Sequence, residues 1–258
     1  MFPPDLPRVN NWPLYIYRIF GKWLSFFLFG FISIILVILV IPPMRIFIHP
    51  HEKFITSIRR FVSASMRQFF NFMHLLKVVD IDVEDRHLYR QLSSKIIVAN
   101  HPSLLDSVLM ISLIPNADTI AAGHLRRSII RGVVRQLYIM NSDDHNKIID
   151  SCDETLKKGN CLLIFPEGTR TVRSKEMRIK KGAARIALAS GCGIVPVHLG
   201  GTDKFGLGKK DPWFGYNPTE RYVYKVSMGK EINPEQYKNM PHSAAVQALT
   251  KEILKALS

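Results

Sequence analysis

Residues 96–106 have the sequence Ile-Ile-Val-Ala-Asn-His-Pro-Ser-Leu-Leu-Asp, in which a short apolar run leads directly into polar residues. Four consecutive apolar residues are typical of a strand that is buried on both faces. The proline at position 102 indicates that a turn follows this strand. The sequence therefore predicts a buried strand that presents His101 at its carboxyl end, with Asp106 in the turn beyond it.

A histidine and a carboxylate in this arrangement are suited to proton transfer. A neutral imidazole takes a proton from a hydroxyl, while the carboxylate selects the tautomer and stabilises the imidazolium that forms. If the substrate supplies the hydroxyl, the protein needs no Ser or Cys nucleophile. An alternative interpretation is a helix capping box, with Ser103 as N-cap and Asp106 at the third helical position. Both interpretations can hold, because a capped helix start keeps Asp106 close to His101.

A second cluster follows another apolar run. Residues 161–165 predict a buried parallel strand, which is broken by the turn Pro-Glu-Gly-Thr-Arg at 166–170. The guanidinium fork of Arg170 suits a phosphate or a carboxylate. The alternative is a surface loop with a solvated ion pair. The pattern of residues 180–189 predicts a helix, which the glycines at 191 and 193 end, and residues 194–198 predict a further strand.

Three motifs in this order resemble those of the glycerolipid acyltransferases, whose best-known members are the bacterial 1-acyl-glycerol-3-phosphate acyltransferases. The motifs are Asn-His-Pro-Ser-x-x-Asp at 100–106, Phe-Pro-Glu-Gly-Thr-Arg at 165–170 and Ile-Val-Pro-Val at 194–197. The resemblance runs from about Lys95 to Gly200. It implies that His101 is the general base and Asp106 its partner. It also implies an acceptor-phosphate site at Glu167, Gly168, Thr169 and Arg170, and a role for Pro196 in shaping the acyl-donor site.

One position departs from the family's pattern. Between the two main motifs, the family usually has a block that ends in an arginine, which helps to bind the phosphate of the acceptor. By spacing, Asn141 stands at this position, and an asparagine cannot neutralise a phosphate. Four nearby arginines either compensate or form a basic surface that faces a membrane; they are Arg126, Arg127, Arg131 and Arg135.

The composition predicts a partner with negative charge. The chain has 258 residues, with 35 Lys and Arg against 21 Asp and Glu, which gives a formal net charge of +14. Such a chain binds nucleic acid, anionic lipid or anionic substrates. The sequence has no zinc-finger spacing, no Arg-rich tail and no RNA-binding aromatic motif, so we predict no nucleic-acid partner. The three cysteines lack metal-ligand spacing, and we predict neither a metal nor a redox cofactor.

The N-terminal third predicts contact with lipid. Residues 23–41 form a run of nineteen residues without a charge, which at ~1.5 Å per residue reaches roughly 28 Å as a helix. We predict a hydrophobic helix at about 14–41, ended by Pro42 and Pro43, that either spans a bilayer or enters one leaflet. An amphipathic, basic helix at about 52–77 suits either the membrane interface or the protein core. A signal peptide is disfavoured, because no Ala-x-Ala-like site follows the run.

Together these patterns predict an α/β fold, with a mixed, mostly parallel sheet flanked by helices and an N-terminal membrane-anchoring helical segment. The predicted division is a membrane anchor at 1–77 and an acyltransferase domain at 78–258. Residues 222–226 alternate in the manner of an edge strand, and residues 200–218 form a long loop. That loop is a lid, a lipid contact or an ordinary surface loop. Functional turns after parallel strands place the site at the carboxyl edge of the sheet.

The predicted function is a membrane-bound O-acyltransferase that moves a fatty acyl group to the hydroxyl of a lysophospholipid, such as 1-acyl-glycerol-3-phosphate. The expected donor is acyl-CoA or acyl carrier protein, with no other cofactor, and the expected partners are membrane lipids. Because activated acyl donors are cytosolic, we expect the inner membrane, with the catalytic domain on its cytoplasmic face. Three alternatives remain: an acceptor without phosphoglycerol (a lyso-aminolipid or a polyene lipid), an acyl thioesterase in which His101 activates water, and a catalytically silent membrane-binding protein.

Overall fold

The computed structural model describes residues 6–121, 138–140, 145–173 and 176–257. The N-terminal helical segment consists of α1 (Trp12–Ile35), a π-helical turn (Leu36–Val40), α2 (Ile41–Phe47) and α3 (His51–Leu75). The strands are β1 (Val79–Val83), β2 (Ile96–Ala99), β3 (Ala117–Ala121), β4 (Tyr138–Met140), β5 (Cys161–Ile164), β6 (Ile194–Gly201) and β7 (Tyr222–Met228). The remaining helices are α4 (Arg86–Gln91), α5 (Asp106–Leu113), α6 (His145–Lys157), α7 (Gly182–Ser190), a 3-10 turn (Pro234–Tyr237) and α8 (His242–Leu257).

In the described part of the chain, these strands form one sheet in the order β1-β7-β6-β2-β5-β3-β4. Neighbouring strands are parallel, except that β6 and β7 are antiparallel. The predicted mixed, mostly parallel sheet is therefore confirmed. Because β2 lies between β5 and β6 and runs parallel to both, the carboxyl ends of β2 and β5 meet at the same edge of the sheet.

The central strands are apolar throughout because helices cover both faces of the sheet. In β2, Ile97 and Ala99 belong to one core cluster, while Ile96 and Val98 belong to a second cluster on the opposite face. Helices α3 and α5 cover the first face, and α6, α7 and α8 cover the second. Period-two alternation of side chains, combined with burial on both faces, explains the unbroken apolar runs.

Helices α1 and α2 run antiparallel to α3. The rings of Phe29 and Phe69 lie 4.4 Å apart near the start of this helical hairpin, and Ile41 and Met44 pack on Phe54 near its tip. One side of α1 belongs to the core, since Tyr15 is buried against it. The other side of α1 and the π-helical turn after it expose apolar residues, which include Phe20, Phe27, Phe31, Ile38 and Leu39. By length and composition, the helix over residues 12–47 is long and apolar enough to cross a membrane.

Two local predictions were wrong. Pro42 and Pro43 do not end the helix, because they occupy the first turn of α2, where a backbone N–H has no partner inside the helix to lose. The preceding π-helical turn allows the chain to continue. In addition, β7 is not an edge strand, because β1 pairs with it in parallel on the side away from β6. The boundary at residue 77 between anchor and domain stays a prediction.

Candidate active site

The site begins where β2 ends. The Asn100 side chain pairs with the backbone of β6 through both its amide atoms: Nδ2 donates to the Leu199 carbonyl at 2.9 Å, and Oδ1 accepts from the Leu199 N–H at 2.7 Å. This pairing substitutes for one more step of the strand ladder and fixes the direction in which the chain leaves the sheet. His101 is therefore the first residue beyond the sheet edge.

His101 and Asp106 are in direct contact. The Nδ1 atom of His101 lies 2.9 Å from Oδ2 of Asp106, whose side chain is fully buried, while the imidazole is 16% exposed. Because a carboxylate only accepts hydrogen bonds, this contact places the proton of a neutral imidazole on Nδ1. The Nε2 atom bonds to no other group in the described residues, so its lone pair is available to a substrate hydroxyl.

Asp106 is held by more than the histidine. Its Oδ2 accepts from the Ser103 backbone N–H at 2.6 Å, and its Oδ1 accepts from the Ser103 hydroxyl at 2.5 Å. The Ser103 Oγ in turn lies 2.7 Å from the Tyr224 hydroxyl. Because the serine proton is committed to Asp106, Tyr224 is the donor in this second bond. Burial raises the pKa of Tyr224 well above its ordinary value, so the phenol stays a donor.

The capping-box prediction for Ser103 was only half right. The carboxylate half forms, because Asp106 accepts from the Ser103 N–H. However, α5 begins at Asp106 itself, and Leu105 is its N-cap. The serine hydroxyl donates to the carboxylate and accepts a bond of 3.2 Å from the Leu105 N–H, where a capping serine would accept from the third residue of the helix. The turn thus holds the Asp106 carboxylate and does not cap the helix through Ser103.

The loop after β5 forms hydrogen bonds with both the N–H and the carbonyl of His101. Glu167 Oε1 accepts from the His101 N–H at 3.1 Å and from the Thr171 hydroxyl at 2.7 Å. The Thr171 N–H donates to the His101 carbonyl at 2.8 Å. The Phe165 ring stacks on the imidazole, with centroids 4.2 Å apart. These contacts fix the position and the ring plane of His101.

Gly168 lies at the turn of this loop with a φ of 69°, a left-handed conformation that favours glycine. A Cβ at this position would lie 2.7 Å from the Lys180 Nζ, so the ammonium of Lys180 reaches the loop directly. Thr169 is exposed beside it. The loop is therefore open to solvent and carries a positive charge.

The Arg170 guanidinium is half-buried and is fixed by one of its nitrogens. Its Nη1 donates to the carbonyls of Leu207 and Gly208, at 2.9 and 3.1 Å. Among the described residues, neither Nη2 nor Nε has a hydrogen-bond partner. Two donor groups of the fork therefore remain for an anionic ligand.

A further cation, Lys204, interacts electrostatically with Asp106. The Lys204 side chain is buried, and its ammonium donates to the carbonyls of Val223 at 2.9 Å, of Gly200 at 3.4 Å and of Thr202. It also lies 4.5 Å from the centroid of the Tyr224 ring. Burial lowers the pKa of Lys204 to about 8, against the opposing effect of the negative charge of Asp106.

The structure brings most of the predicted site residues together at one edge of the sheet, as the preceding contacts of His101, Asp106, Glu167, Gly168 and Arg170 show. Pro196 instead lies buried inside β6, opposite Val98 of β2. Its role at the acyl-donor site stays a prediction. Asn141, and the four arginines Arg126, Arg127, Arg131 and Arg135, lie outside the described residues.

Metal sites and reactive thiols find little support among the described side chains. These side chains include no group of three or more His, Cys, Asp or Glu that is placed to hold a metal ion. Burial raises the pKa of Cys152 to about 12 and that of Cys161 to about 11, so both thiols stay protonated at neutral pH. The arrangement is suited to general-base chemistry on a hydroxyl next to an anion-binding loop.

Sequence reasoning missed several residues of this site. Thr171 follows the motif by one position and has no distinguishing pattern. Tyr224 lies on the alternating strand β7, and the alternation predicts that it faces inward but not that it reaches Ser103. Phe165 belongs to a quoted motif, although only the structure shows that its ring stacks on His101.

Comparison with known proteins agrees with this geometry. A family model described as Acyltransferase matches residues 80–200. The 1-acyl-sn-glycerol-3-phosphate acyltransferase of Cocos nucifera is 36% identical over 120 residues, which cover 42% of this chain and 37% of that protein. A probable 1-acyl-sn-glycerol-3-phosphate acyltransferase of Mycoplasma genitalium is 24% identical over 151 residues, 54% of this chain and 56% of that protein.

The similarity covers only part of these relatives. The chloroplastic LPAT1 of Arabidopsis thaliana is 33% identical over 113 residues, and the match spans 32% of that protein, about a third of its length. In three dimensions, the 1-acyl-sn-glycerophosphate acyltransferase PlsC of Thermotoga maritima matches with a TM-score of 0.70 and 20% identity, over 92% of this chain and 96% of that chain. The fold and the resemblance that the motifs predict are thus confirmed.

Proposed function

We propose that this chain, whose residues 80–200 match the acyltransferase family model, is a membrane-bound O-acyltransferase. It would transfer a fatty acyl group from a thioester donor, acyl-CoA or acyl carrier protein, to the hydroxyl of an anionic lysolipid such as 1-acyl-glycerol-3-phosphate. The observation that carries this proposal is the contact of 2.9 Å between His101 Nδ1 and the buried Asp106, which leaves Nε2 free beside the loop of Arg170. The named relatives are acyltransferases, which supports the reaction class.

The geometry suggests a single displacement at the acyl carbon. The acceptor hydroxyl binds with its proton directed at His101 Nε2, which takes the proton as the oxygen attacks the thioester carbonyl. The tetrahedral intermediate then breaks its C–S bond, and the imidazolium returns the proton to the leaving thiolate. Asp106 stabilises the imidazolium between these two steps. An ester and a free thiol result, and no group of the protein is altered.

The loop after β5 supplies the recognition of an anionic acceptor. Arg170 keeps two donor groups of its fork free, and Lys180 reaches the turn at Gly168. Charge-assisted bonds from these groups to a phosphate would orient the acceptor hydroxyl towards His101. Because Asn141 replaces the expected arginine, this loop would carry most of the recognition.

The helical hairpin supports a membrane location on one leaflet. Both of its ends return to the domain, because Val9 and Tyr15 pack on the same core cluster as Phe69 and Met73. Its outward side is apolar, and α2 packs on α3 at its tip. The hairpin would therefore enter a membrane from the side of the catalytic domain and return. The use of cytosolic acyl donors leads us to propose the cytoplasmic face of the inner membrane.

Thiol release from an acyl-CoA separates the candidate functions. Release only in the presence of a lysolipid acceptor is the result we expect for a transferase. Release without any acceptor would mean a thioesterase, in which His101 activates water. No release with acyl-CoA or with acyl carrier protein as donor would mean a binding protein and would contradict the proposal.

The acceptor is tested by kinetics with Arg170→Ala. A charge-assisted hydrogen bond contributes ~1.5–3 kcal/mol, so we expect the KM for the anionic lysolipid to rise about tenfold or more, with the donor KM nearly unchanged. Arg185→Ala, an exposed arginine on α7, is the matched control. Equal effects of both variants would remove Arg170 from the acceptor site.

A second variant tests the departure at Asn141. If Asn141 limits the use of lysophosphatidic acid, Asn141→Arg should improve that use. Efficient use of lysophosphatidic acid by the wild type would show that other groups bind the phosphate.

A further inference from the structure

The connection between β6 and β7 contains a folded turn with an unusual surface, and we define residues 204–216 as the aromatic loop. At its tip, the side chains of Trp213 and Phe214 are 70% and 71% exposed. At its base, Phe205, Leu207 and Tyr216 are buried in the domain. A contiguous patch of exposed apolar side chains marks an interaction surface, whereas single exposed apolar residues are ordinary.

The exposure belongs to a well-ordered turn. Asp211 Oδ2 accepts from the N–H groups of Gly206 and Gly208, at 2.9 and 3.0 Å. The Gly215 N–H donates to the Pro212 carbonyl at 2.8 Å. A Cβ at Gly206 would lie 1.9 Å from the Gly215 carbonyl oxygen, so the two arms of the loop touch. The aromatic tip is therefore held outward by the backbone.

Helix α1 holds the tip from below. The Lys22 side chain is 1% exposed, and its ammonium donates to the carbonyls of Trp213 at 2.8 Å and of Gly215 at 2.6 Å. The ring of Trp23 lies 6.0 Å from that of Trp213 and 5.4 Å from that of Phe214. The tip therefore extends the exposed apolar side of α1, on which Phe27 is 68% exposed.

Positive charge accompanies the aromatic tip. Lys209 and Lys210 are exposed in the same loop, four and three residues before Trp213. Aromatic rings next to lysines are typical of the interfacial layer of a bilayer, where the rings lie among the headgroups and the ammonium groups meet lipid phosphates. A lipid surface with anionic headgroups is complementary to this combination of groups.

The same loop touches the active site. The Leu207 carbonyl accepts from the Leu104 N–H at 3.0 Å and from Arg170 Nη1 at 2.9 Å. Leu104 belongs to the turn between His101 and Asp106. The loop therefore connects α1 to both halves of the candidate active site.

We propose that the aromatic loop is a second membrane contact, distant in sequence from the hairpin. Trp213 and Phe214 enter the interfacial layer of the leaflet that α1 enters, and Lys209 and Lys210 bind anionic headgroups. Because its base holds Arg170, the contact sets the height of the acceptor-binding arginine above the surface from which the lysolipid comes. The inference rests on the proposed function, since it takes α1 to lie in a membrane.

Fluorescence quenching by lipids with brominated acyl chains tests the contact. Trp12→Phe with Trp23→Phe leaves Trp213 as the only tryptophan of the 258-residue chain. A reference protein has all three tryptophans replaced by Phe and carries Phe27→Trp on α1. In vesicles of brominated phosphatidylcholine and phosphatidylglycerol, we expect both proteins to be quenched. Adding Lys209→Ala and Lys210→Ala should reduce the quenching of Trp213 in these vesicles at low salt. The two substitutions should leave the quenching unchanged in vesicles of brominated phosphatidylcholine alone.

The outcomes separate the two levels of the argument. Quenching of the reference protein without quenching of Trp213 would overturn the loop contact and leave the membrane proposal intact. Quenching of neither protein would contradict the membrane location itself. If Trp213 is shielded from water without any lipid, and the shielding grows with protein concentration, a second copy of the protein covers the loop. This result too would overturn the inference.

Kinetics tests the connection to the active site. Trp213→Ala with Phe214→Ala should raise the KM for a lysolipid presented in vesicles by about tenfold, the cost of losing the burial of roughly one aromatic side chain. The KM for a water-soluble, short-chain acceptor should stay unchanged. Met240→Ala, which removes an apolar side chain that is 41% exposed elsewhere, is the control. An unchanged KM in vesicles, or an equal rise for both acceptors, would contradict the inference.

Discussion

At the scale of single residues, the site depends on how fully Asp106 is enclosed. Both of its carboxylate oxygens are committed: Oδ2 accepts from His101 and the Ser103 N–H, and Oδ1 accepts from the Ser103 hydroxyl. A fully buried carboxylate needs such partners, because an unpaired charge away from water is costly. Tyr224 completes this series of hydrogen bonds from β7, on the far side of β6, so the position of His101 depends on the assembled sheet.

Tyr224→Phe should lower kcat about five- to tenfold and leave both KM values nearly unchanged, because it removes a bond of ~1 kcal/mol that orients Ser103 and, through it, Asp106. Tyr222→Phe is the matched control. Tyr222 is equally buried, and its hydroxyl donates at 2.6 Å to the Phe205 carbonyl, so it takes no part in the hydrogen bonds that hold Asp106. Steady-state kinetics of the two variants, with their stabilities, checks the expectation. A similar fall in kcat for both would show a general effect of packing.

The same residues show how far the sequence leads. The pairing of His101 with Asp106 was predictable, because five positions across a turn after a buried strand leave few geometries. The bond from Tyr224 to Ser103 was not, since it joins residues 121 positions apart and depends on the order of the strands. The hydrogen bonds of Arg170 to Leu207 and Gly208 were equally hidden, because backbone carbonyls carry no sequence pattern.

At the scale of elements, an ion pair between the partly buried Arg59 and the buried Asp118 fastens α3 to the sheet. Arg59 Nη2 donates to both oxygens of Asp118 on β3, at 2.6 and 2.7 Å, and the Thr155 hydroxyl of α6 adds a third bond at 3.0 Å. Burial raises the pKa of Asp118, and the charge of Arg59 partly offsets this effect. The pair therefore joins the helical hairpin to the catalytic part of the chain.

Removing one partner of the ion pair between Arg59 and Asp118 should lower the stability of the protein. Arg59→Met leaves the Asp118 charge buried without its counter-ion, and we expect the free energy of unfolding to fall by about 3–5 kcal/mol. Arg59→Met together with Asp118→Asn should recover a large part of this loss. Denaturant unfolding in detergent measures both variants, and Arg60→Met, an exposed arginine on the same helix, is the control. A loss of less than about 1 kcal/mol for Arg59→Met would place the pair among weak surface contacts.

Elements differ in how well their patterns predict them. The central strands were predicted because burial on both faces demands apolar residues at every position. The end of the first helix at Pro42 was wrong, because a proline in the first turn of a helix is tolerated, and the chain restarts there after a π-helical turn. The edge position of β7 was wrong because alternation reports which side chains face inward, not whether another strand pairs beyond.

At the scale of the whole molecule, three features lie on connected parts of the structure: the apolar side of α1, the aromatic loop and the carboxyl edge of β2 and β5. Lys22 joins the first to the second, and Arg170 joins the second to the third. A net charge of +14 adds attraction to an anionic surface and to anionic substrates. This arrangement suits an enzyme that takes its acceptor from a lipid layer and its donor from water.

The most direct test of the account is mass-spectrometric detection of the esterified lipid after the purified protein is incubated with acyl-CoA and 1-acyl-glycerol-3-phosphate in vesicles. The account predicts that the wild type and His242→Ala, which replaces an exposed histidine at the start of α8, form the diacyl product at equal rates. His101→Ala, although folded and bound to the vesicles, should form it at least about a hundredfold more slowly, because its general base is lost. Product formation by His101→Ala at close to the rate of the wild type would contradict the account.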